Sequence, residues 1–340
     1  MSDHQVLLYV GTYQKEDPAS AGTTLKGIYT YLMDPDSGHL SPHSEINDIE
    51  NPSFLAVDSQ QRYLYAVNEN YRPEDCSVHA YRIDPQSGKL SYLNQQPSLG
   101  SSPCYVTVDQ TDQLVAVANY SSGSVTALPI GENGALLPSS DFHQHAGSGI
   151  NPARQEGPHA HCAVIDPNNR YLFVADLGLD KLMSYRLGLE GKKLIPNDPP
   201  YFEMTPGCGP RHLRFHLNGR FAYVINELDS SITALNYDSA GGTFSLIETV
   251  STLPEDFQGE SYCAELCIAP NGNFLYGSNR GHDSLAIFAI DETSGRLSLV
   301  AHQSTRGKTP RNFTIDPSGT LLLVANQDSD NIVSFRVDPS

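Results

Sequence analysis

The chain has no tryptophan, no CxxC pair and no run of 18 apolar residues in its 340 positions. It also has no stretch with the three-and-four apolar spacing of an amphipathic helix. The last two absences exclude a membrane-spanning helix and an all-α fold. Residues 1–13, MSDHQVLLYVGTY, lack a basic segment ahead of their short apolar run, so no signal peptide is expected and the chain reads as cytoplasmic. Lys and Arg total only 21 against 39 Asp and Glu, and the net charge of −18 opposes nucleic acid and anionic membranes as partners. The glycines form no GxGxxG after a strand, no P-loop and no GxSxG elbow, which disfavours nucleotide binding and covalent serine catalysis. The six cysteines, at 76, 104, 162, 208, 263 and 267, have no zinc spacing. Cys263 and Cys267 lie in one predicted strand, roughly 13 Å apart at about 3.3 Å per residue, too far for a disulfide. All six are expected to be reduced thiols. No Pro/Ser-rich linker or shift in composition divides the chain, so residues 1–340 are expected to form one domain.

What the chain does have is repetition. Residues 209–229, GPRHLRFHLNGRFAYVINELD, read as two strands joined at Asn218-Gly219, a strong hairpin signal. Hairpins aligned on that turn recur at 51–69, 102–120, 158–177, 209–228, 262–281 and 309–327, and a lone second strand opens the chain at 6–12. The residue closing each second strand is Asn68, Asn119, Asp176, Asn226, Asn279 or Asn326, at intervals of 51, 57, 50, 53 and 47. A third strand follows each hairpin, and most run into an Asp-x-x-Ser/Ala-Gly turn (DPDSG, DPQSG, DSAGG, DETSG) and a short fourth strand. This spacing predicts an all-β, seven-bladed β-propeller of four-stranded antiparallel blades. The first unit lacks its inner strand and the last stops after its third, so either those two blades are incomplete or the chain is truncated. Asp58, Asp109, Asp166 and Asp316 recur too regularly at strand ends to be catalytic and are expected to cap turns.

Equivalent registers in such a fold occupy equivalent positions about one axis. The position five before each inner-strand end holds Ser53, Cys104, His161, Arg211, Ala264 and Arg311, with His212, Glu265 and Asn312 one step on. The position after each second strand holds Glu69, Tyr120, Leu177, Glu227, Arg280 and Gln327. His161, Arg211, Glu227, Arg280 and Arg311 are therefore expected within reach of one small anionic ligand. A polar residue at a blade entrance is commonly structural, but arginines, a histidine and a carboxylate at matching registers point to a site. The segment 143–161, HQHAGSGINPARQEGPHAH, carries two His-x-His pairs without an acidic or cysteine ligand at a typical spacing. It reads as a loop delivering His159, His161 and Arg154 to that site, with a zinc site the weaker alternative. Residues 253–262 form a second long loop and a candidate rim.

These residues carry a resemblance. YVGTY at 9–13, GPHAHCAVIDP at 157–167, ADLGLDKL at 175–182, GCGPRHLRFH at 207–216, YVINEL at 223–228, SNRGHDSLAIF at 278–288 and TPRNFTIDPSG at 309–319 resemble the lactonase family of seven-bladed propellers. That family includes propeller-type 6-phosphogluconolactonases and is related to 3-carboxy-cis,cis-muconate cyclase. By motif, the cyclase's catalytic histidine, two arginines and glutamate correspond to His161, Arg211, Arg280 and Glu227. The resemblance implies hydrolysis of 6-phospho-D-glucono-1,5-lactone in the pentose phosphate pathway, a part of glucose metabolism. His161 would serve as general base or acid and Glu227 would orient it or share the proton. Arg211 and Arg280 would stabilise the oxyanion, while Arg311 or His212 would pair with the phosphate, and His159, Glu265 and Arg154 complete the substrate-binding candidates. A δ-lactone is already reactive, so no metal or other cofactor is called for. Three alternatives remain open: a carboxymuconate cycloisomerase, a non-catalytic binding platform, and a calcium-dependent gluconolactonase using Glu69, Asp176 and Glu227. Nothing in the sequence points to an interface, and the oligomeric state stays open.

Overall fold

A computed structural model describes residues 6–13 and 27–338. Its strands form seven antiparallel sheets. The first has three strands, Val6–Gly11, Ile28–Met33 and Leu40–Ile46. The second comprises Leu55–Val57, Tyr63–Asn68, Ser77–Ile83 and Leu90–Pro97, and the third Pro103–Val108, Leu114–Asn119, Ser124–Pro129 and Asp141–Gln144. The fourth comprises Ala160–Ile165, Tyr171–Asp176, Lys181–Gly188 and Lys193–Glu203. Pro210–Phe215, Phe221–Asn226, Ser231–Asp238 and Thr243–Ser251 make the fifth. Tyr262–Ile268, Phe274–Arg280, Ser284–Ile290 and Leu297–Ser304 make the sixth. The last again has three strands, Pro310–Ile315, Leu321–Asn326 and Asn331–Arg336. These are the expected blades, including the two short ones. One compact unit holds the described residues within Met1–Gly147, Gly157–Ile165 and Tyr185–Pro196, and a second holds those within Ser148–Glu156, Asp166–Ser184 and Asn197–Ser340.

Within each unit the core lies between successive sheets. In the second unit Phe221, Tyr223, Ile225 and Ile232 of the fifth sheet pack on Leu266, Leu275, Ala286 and Phe288 of the sixth. In the first unit Tyr65, Val67 and Val78 of the second sheet pack on Val106, Val115, Val117 and Leu128 of the third. Both strand faces are buried, which explains the nearly continuous apolar second strands.

The turn motifs have two physical reasons. Asp58, Asp109, Asp166 and Asp316 each accept two successive backbone N–H bonds through Oδ1, as Asp166 does from Arg170 (2.6 Å) and Tyr171 (2.7 Å). They cap turns as expected. The glycine closing Asp-x-x-Ser-Gly sits at positive φ, 72° at Gly295, where a Cβ would lie 2.6 Å from the Phe221 ring. Glycine is needed there for both backbone and space. The Asn218-Gly219 connection differs from the two-residue hairpin. The strands end at Phe215 and restart at Phe221, so five residues, 216–220, intervene and Gly219 alone takes the left-handed conformation at φ 67°.

The strand-ending asparagines fasten their blades. Asn226 donates through Nδ2 to the hydroxyls of Ser231 (2.9 Å) and Thr233 (3.0 Å), and Asn119 does the same toward Ser124 and Thr126. At Asn119, Asn226 and Asn279 the recurring asparagine braces the second strand to the third, whereas Asn68 donates to the Asp75 carbonyl and Asn326 to the Thr305 carbonyl.

Candidate functional site

The inner strands are bulged where the candidate residues stand. In the fifth sheet Pro210 pairs with Asn226 and His212 with Ile225, leaving Arg211 as an extra residue. Cys104 is extra in the third sheet and Arg311 in the seventh, while Ala264 and Glu265 span the shift in the sixth. A bulge interrupts side-chain alternation and re-aims the extra residue. Arg211 and His212 are consequently both buried, with the Arg211 Nη1 3.3 Å from the His212 Nε2.

The second unit assembles a dense charge cluster. Glu227 follows its strand directly and is fixed by its backbone N–H, which donates to the Gly209 carbonyl at 2.7 Å. Its Oε2 accepts from Arg211 Nε and Arg280 Nη2, each at 2.9 Å, and its Oε1 accepts from Arg154 Nη2 at 2.6 Å. Burial would raise the Glu227 pKa, but Arg280, Arg211 and Arg154 outweigh it and hold the carboxylate at about 2. Arg211 also donates to the Ala264 carbonyl at 2.6 Å, and Arg280 to the carbonyls of Cys263 (2.9 Å) and Tyr262 (3.3 Å). The Arg154 guanidinium lies 5.7 Å from the centre of the Tyr262 ring. Burial, together with Arg280 and Arg311 nearby, brings the Arg211 pKa down to about 10, which leaves it charged at neutral pH.

Behind this cluster Glu265 is saturated. Its Oε1 accepts from His212 Nδ1 (3.0 Å), Arg214 Nη2 (2.9 Å) and the Leu266 N–H (2.9 Å), and its Oε2 from Asn312 Nδ2 (2.7 Å). Burial lowers the His212 pKa to about 4. A neutral His212 donating from Nδ1 to Glu265 leaves Nε2 as acceptor for Arg211, so both ring nitrogens are engaged.

The first unit holds His159 and His161. His161, in the strand Ala160–Ile165, lies beside Tyr120, whose ring meets it edge-on at 5.3 Å and stacks on His159 at 4.7 Å. His159 Nδ1 contacts the Tyr120 carbonyl at 3.1 Å. Cys104 Sγ lies 3.9 Å from His161 Nδ1 and 3.3 Å from the His161 carbonyl. Glu69 accepts hydrogen bonds at Oε2 from the hydroxyls of Tyr13 and Ser53.

A sequence model of the family described as "Lactonase, 7-bladed beta-propeller" matches residues 7–340. The chain belongs to that family. A 6-phosphogluconolactonase of Bacillus subtilis is 37% identical over 330 residues, covering 97% of this chain and 90% of the relative. A 6-phosphogluconolactonase of Formosa agariphila is 35% identical, with 97% and 92% covered. The solved periplasmic gluconolactonase of Pseudomonas aeruginosa superposes with a TM-score of 0.91 at 35% identity, covering 99% of this chain and 93% of that one.

In this lactonase-family chain the structure joins Arg154, Arg211, Glu227 and Arg280 by direct bonds, and His212 with Glu265. Arg311 is close enough to Arg211 to lower its pKa. The two His-x-His pairs part company. His143 lies in the strand Asp141–Gln144 and contacts the Leu194 carbonyl at 2.8 Å, and His145 is buried against the Tyr185 hydroxyl at 3.0 Å. The segment 143–161 is thus not a loop throughout, and its first pair belongs to packing. The calcium alternative loses its central ligand, because Glu227 is enclosed by three guanidinium groups and a dication there would face like charge. Two contributors escaped the sequence reading. Arg214 was signalled by alternation, since His212 and Arg214 share a strand face toward Glu265. Tyr262, the platform under Arg154, had no signal beyond its place at the end of a long loop.

The cluster makes stability acid-sensitive. Below pH 6.5 an unfolded His212 takes up a proton that the folded site refuses until about 4. Below 4.5 unfolded glutamates do likewise, while Glu227 and Glu265 stay ionised to about 2. Protons enter the unfolded state first in every case, so stability is lost as the pH is lowered. Thermal unfolding from neutral pH to about 3 should show Tm declining in two stages, with the upper one reduced in His212→Gln and its remainder carried by His79, whose pKa burial also lowers to about 4. A Tm independent of pH across that range would contradict these ionisation states.

Proposed function

We propose that this protein hydrolyses 6-phospho-D-glucono-1,5-lactone to 6-phosphogluconate, as a carboxylic ester hydrolase of the pentose phosphate pathway. The observation that carries the reading is the cluster of Arg154, Arg211 and Arg280 on the carboxylate Glu227, with Arg311 near Arg211, a concentration of positive charge in a chain of net charge −18. Such a cluster recruits an anionic substrate and stabilises a developing oxyanion. The names of the relatives supply the lactone.

In this proposal water adds to the lactone C1 carbonyl, the ring oxygen leaves, and one proton moves from the water to the departing alkoxide. A carboxylate held at about 2 is too weak a base for that transfer, so Glu227 orients guanidinium groups. His212, with both nitrogens occupied, is a brace. The base is therefore assigned to His161, a reading supported by its repeat register and by its resemblance to the cyclase motif. Arg280, less buried than Arg211, presents charge to the substrate, and Arg211 fixes Glu227 from behind. Arg311 and His159 complete the binding set. One domain over 1–340 goes with this reading, as does a cytoplasmic location, which the six free thiols support. Burial pushes the Cys263 thiol up to about 12, leaving it unreactive. Among the described residues no helix is long and apolar enough to cross a membrane.

The test is consumption of 6-phosphogluconolactone, generated in place, above its spontaneous rate, with and without EDTA. Acceleration that survives EDTA and collapses in Arg280→Ala is the expected result. A folded protein giving no acceleration would refute it and make carboxymuconates the next ligands to try.

A further inference from the structure

We propose that Arg154 is the residue that selects a phosphorylated lactone over its unphosphorylated counterpart. The proposal rests on the lactonase reading above and adds the group that recognises the phosphate. Three arginines share Glu227, but they are held differently. Arg211 and Arg280 are tied both to Oε2 and to carbonyls of residues 262–264, and their side chains are only 2% and 16% exposed. Arg154 binds the other oxygen, Oε1, and its side chain is 34% exposed.

Arg154 also comes from outside the sheets. It sits in the turn 149–155, which closes through the Gly149 N–H to the Gln155 carbonyl (2.9 Å) and the Asn151 N–H to Gln155 Oε1 (3.0 Å). Gln155 is fully buried and anchors the turn by donating Nε2 to the Leu177 carbonyl at 2.9 Å. The backbone beneath Arg154 is therefore fixed, while its long side chain lies over the Tyr262 ring and reaches Glu227 Oε1.

This geometry permits an exchange of partners. If a phosphate takes the Arg154 guanidinium, Glu227 keeps Arg211 and Arg280, so no buried charge is left unpaired. Arg211 and Arg280 are less exposed, and moving either would also break its bonds to the carbonyls of residues 262–264. The planar fork suits phosphate oxygens, and a dianion competes well against one carboxylate oxygen.

The experiment compares kcat/KM for 6-phosphogluconolactone with that for glucono-1,5-lactone in wild type, Arg154→Ala, Arg154→Gln and Arg154→Lys. The ratio should fall about ten- to hundredfold in the first two variants, mostly through KM, with partial recovery in the lysine variant. An unchanged ratio, with both substrates losing equally, would overturn the proposal and make Arg154 part of the general machinery. Calorimetric titration with inorganic phosphate is read in parallel on wild type and Arg154→Gln. Phosphate binding lost in the variant supports the assignment; equal binding, or none in wild type, overturns it. If wild type accelerated neither lactone, the lactonase reading would fall while the phosphate titration still decided the role of Arg154.

Discussion

Replacing His161 by alanine is expected to lower kcat by about 10²- to 10⁴-fold while KM for the lactone changes little, the usual loss on removing a positioned proton-transfer group. The assignment follows from elimination as much as from register. Glu227 is clamped by three cations and His212 has no free nitrogen. His161 meets the Tyr120 ring edge-on and has the Cys104 Sγ 3.9 Å from its Nδ1. Circular dichroism and thermal unfolding would establish that the variant is folded, and added imidazole should restore part of the rate. Full activity in a folded His161→Ala protein would end the assignment and return the search for the base to the remaining residues of the register.

Glu227→Ala should have the other large effect, on stability and activity together. Arg211 is 2% exposed, and removing its carboxylate leaves a buried guanidinium beside Arg280 and Arg311 with its main counterion gone. Breaking a buried pair in this way typically costs about 3–5 kcal/mol. Denaturant unfolding would measure it. Glu227→Gln, which preserves shape and one acceptor, should recover part of that stability but not the rate, because a neutral amide no longer orients three guanidinium groups. A loss below about 1 kcal/mol in the alanine variant would show that solvent or Glu265 compensates Arg211. The double variant Glu227→Ala with Arg211→Met should then be more stable than the single, since an apolar side chain of similar length needs no counterion.

Much of the fold was legible because its signals are local. Asp58, Asp109, Asp166 and Asp316 mark turns wherever they occur, and the glycine of each Asp-x-x-Ser-Gly motif is required by its own backbone angle. The pairing of Arg211 and Arg280 with Glu227 was legible for a different reason: repetition converts sequence register into position, which brings together residues 16 and 53 apart. What escaped was whatever repetition does not encode. The bulge at Arg211 depends on how two strands slip against each other and has no residue signature. The loop carrying Arg154 pointed to the site, but no register gives its partner, and Arg154 bonds Glu227 across 73 residues. The strand holding His143, Asp141–Gln144, has no sequence signal because it is only four residues long and carries a single apolar residue. Glu265 was expected to touch substrate, and the structure shows why a carboxylate at the right register can instead be fully occupied by His212, Arg214 and Asn312.

The recurring bulge has a bearing on how this chemistry could diversify. Each of these inner strands offers an extra position whose side chain is released from the ladder, occupied here by Cys104, Arg211 and Arg311, with Ala264 and Glu265 at the corresponding shift. Because the backbone irregularity already exists, a substitution at one of these positions alters the chemistry presented without asking the sheet to refold. Ancestral duplication would have supplied several equivalent sockets at once, of which a few came to hold cations. Descendants could change substrate by refilling a socket while the blades that frame it stayed constant.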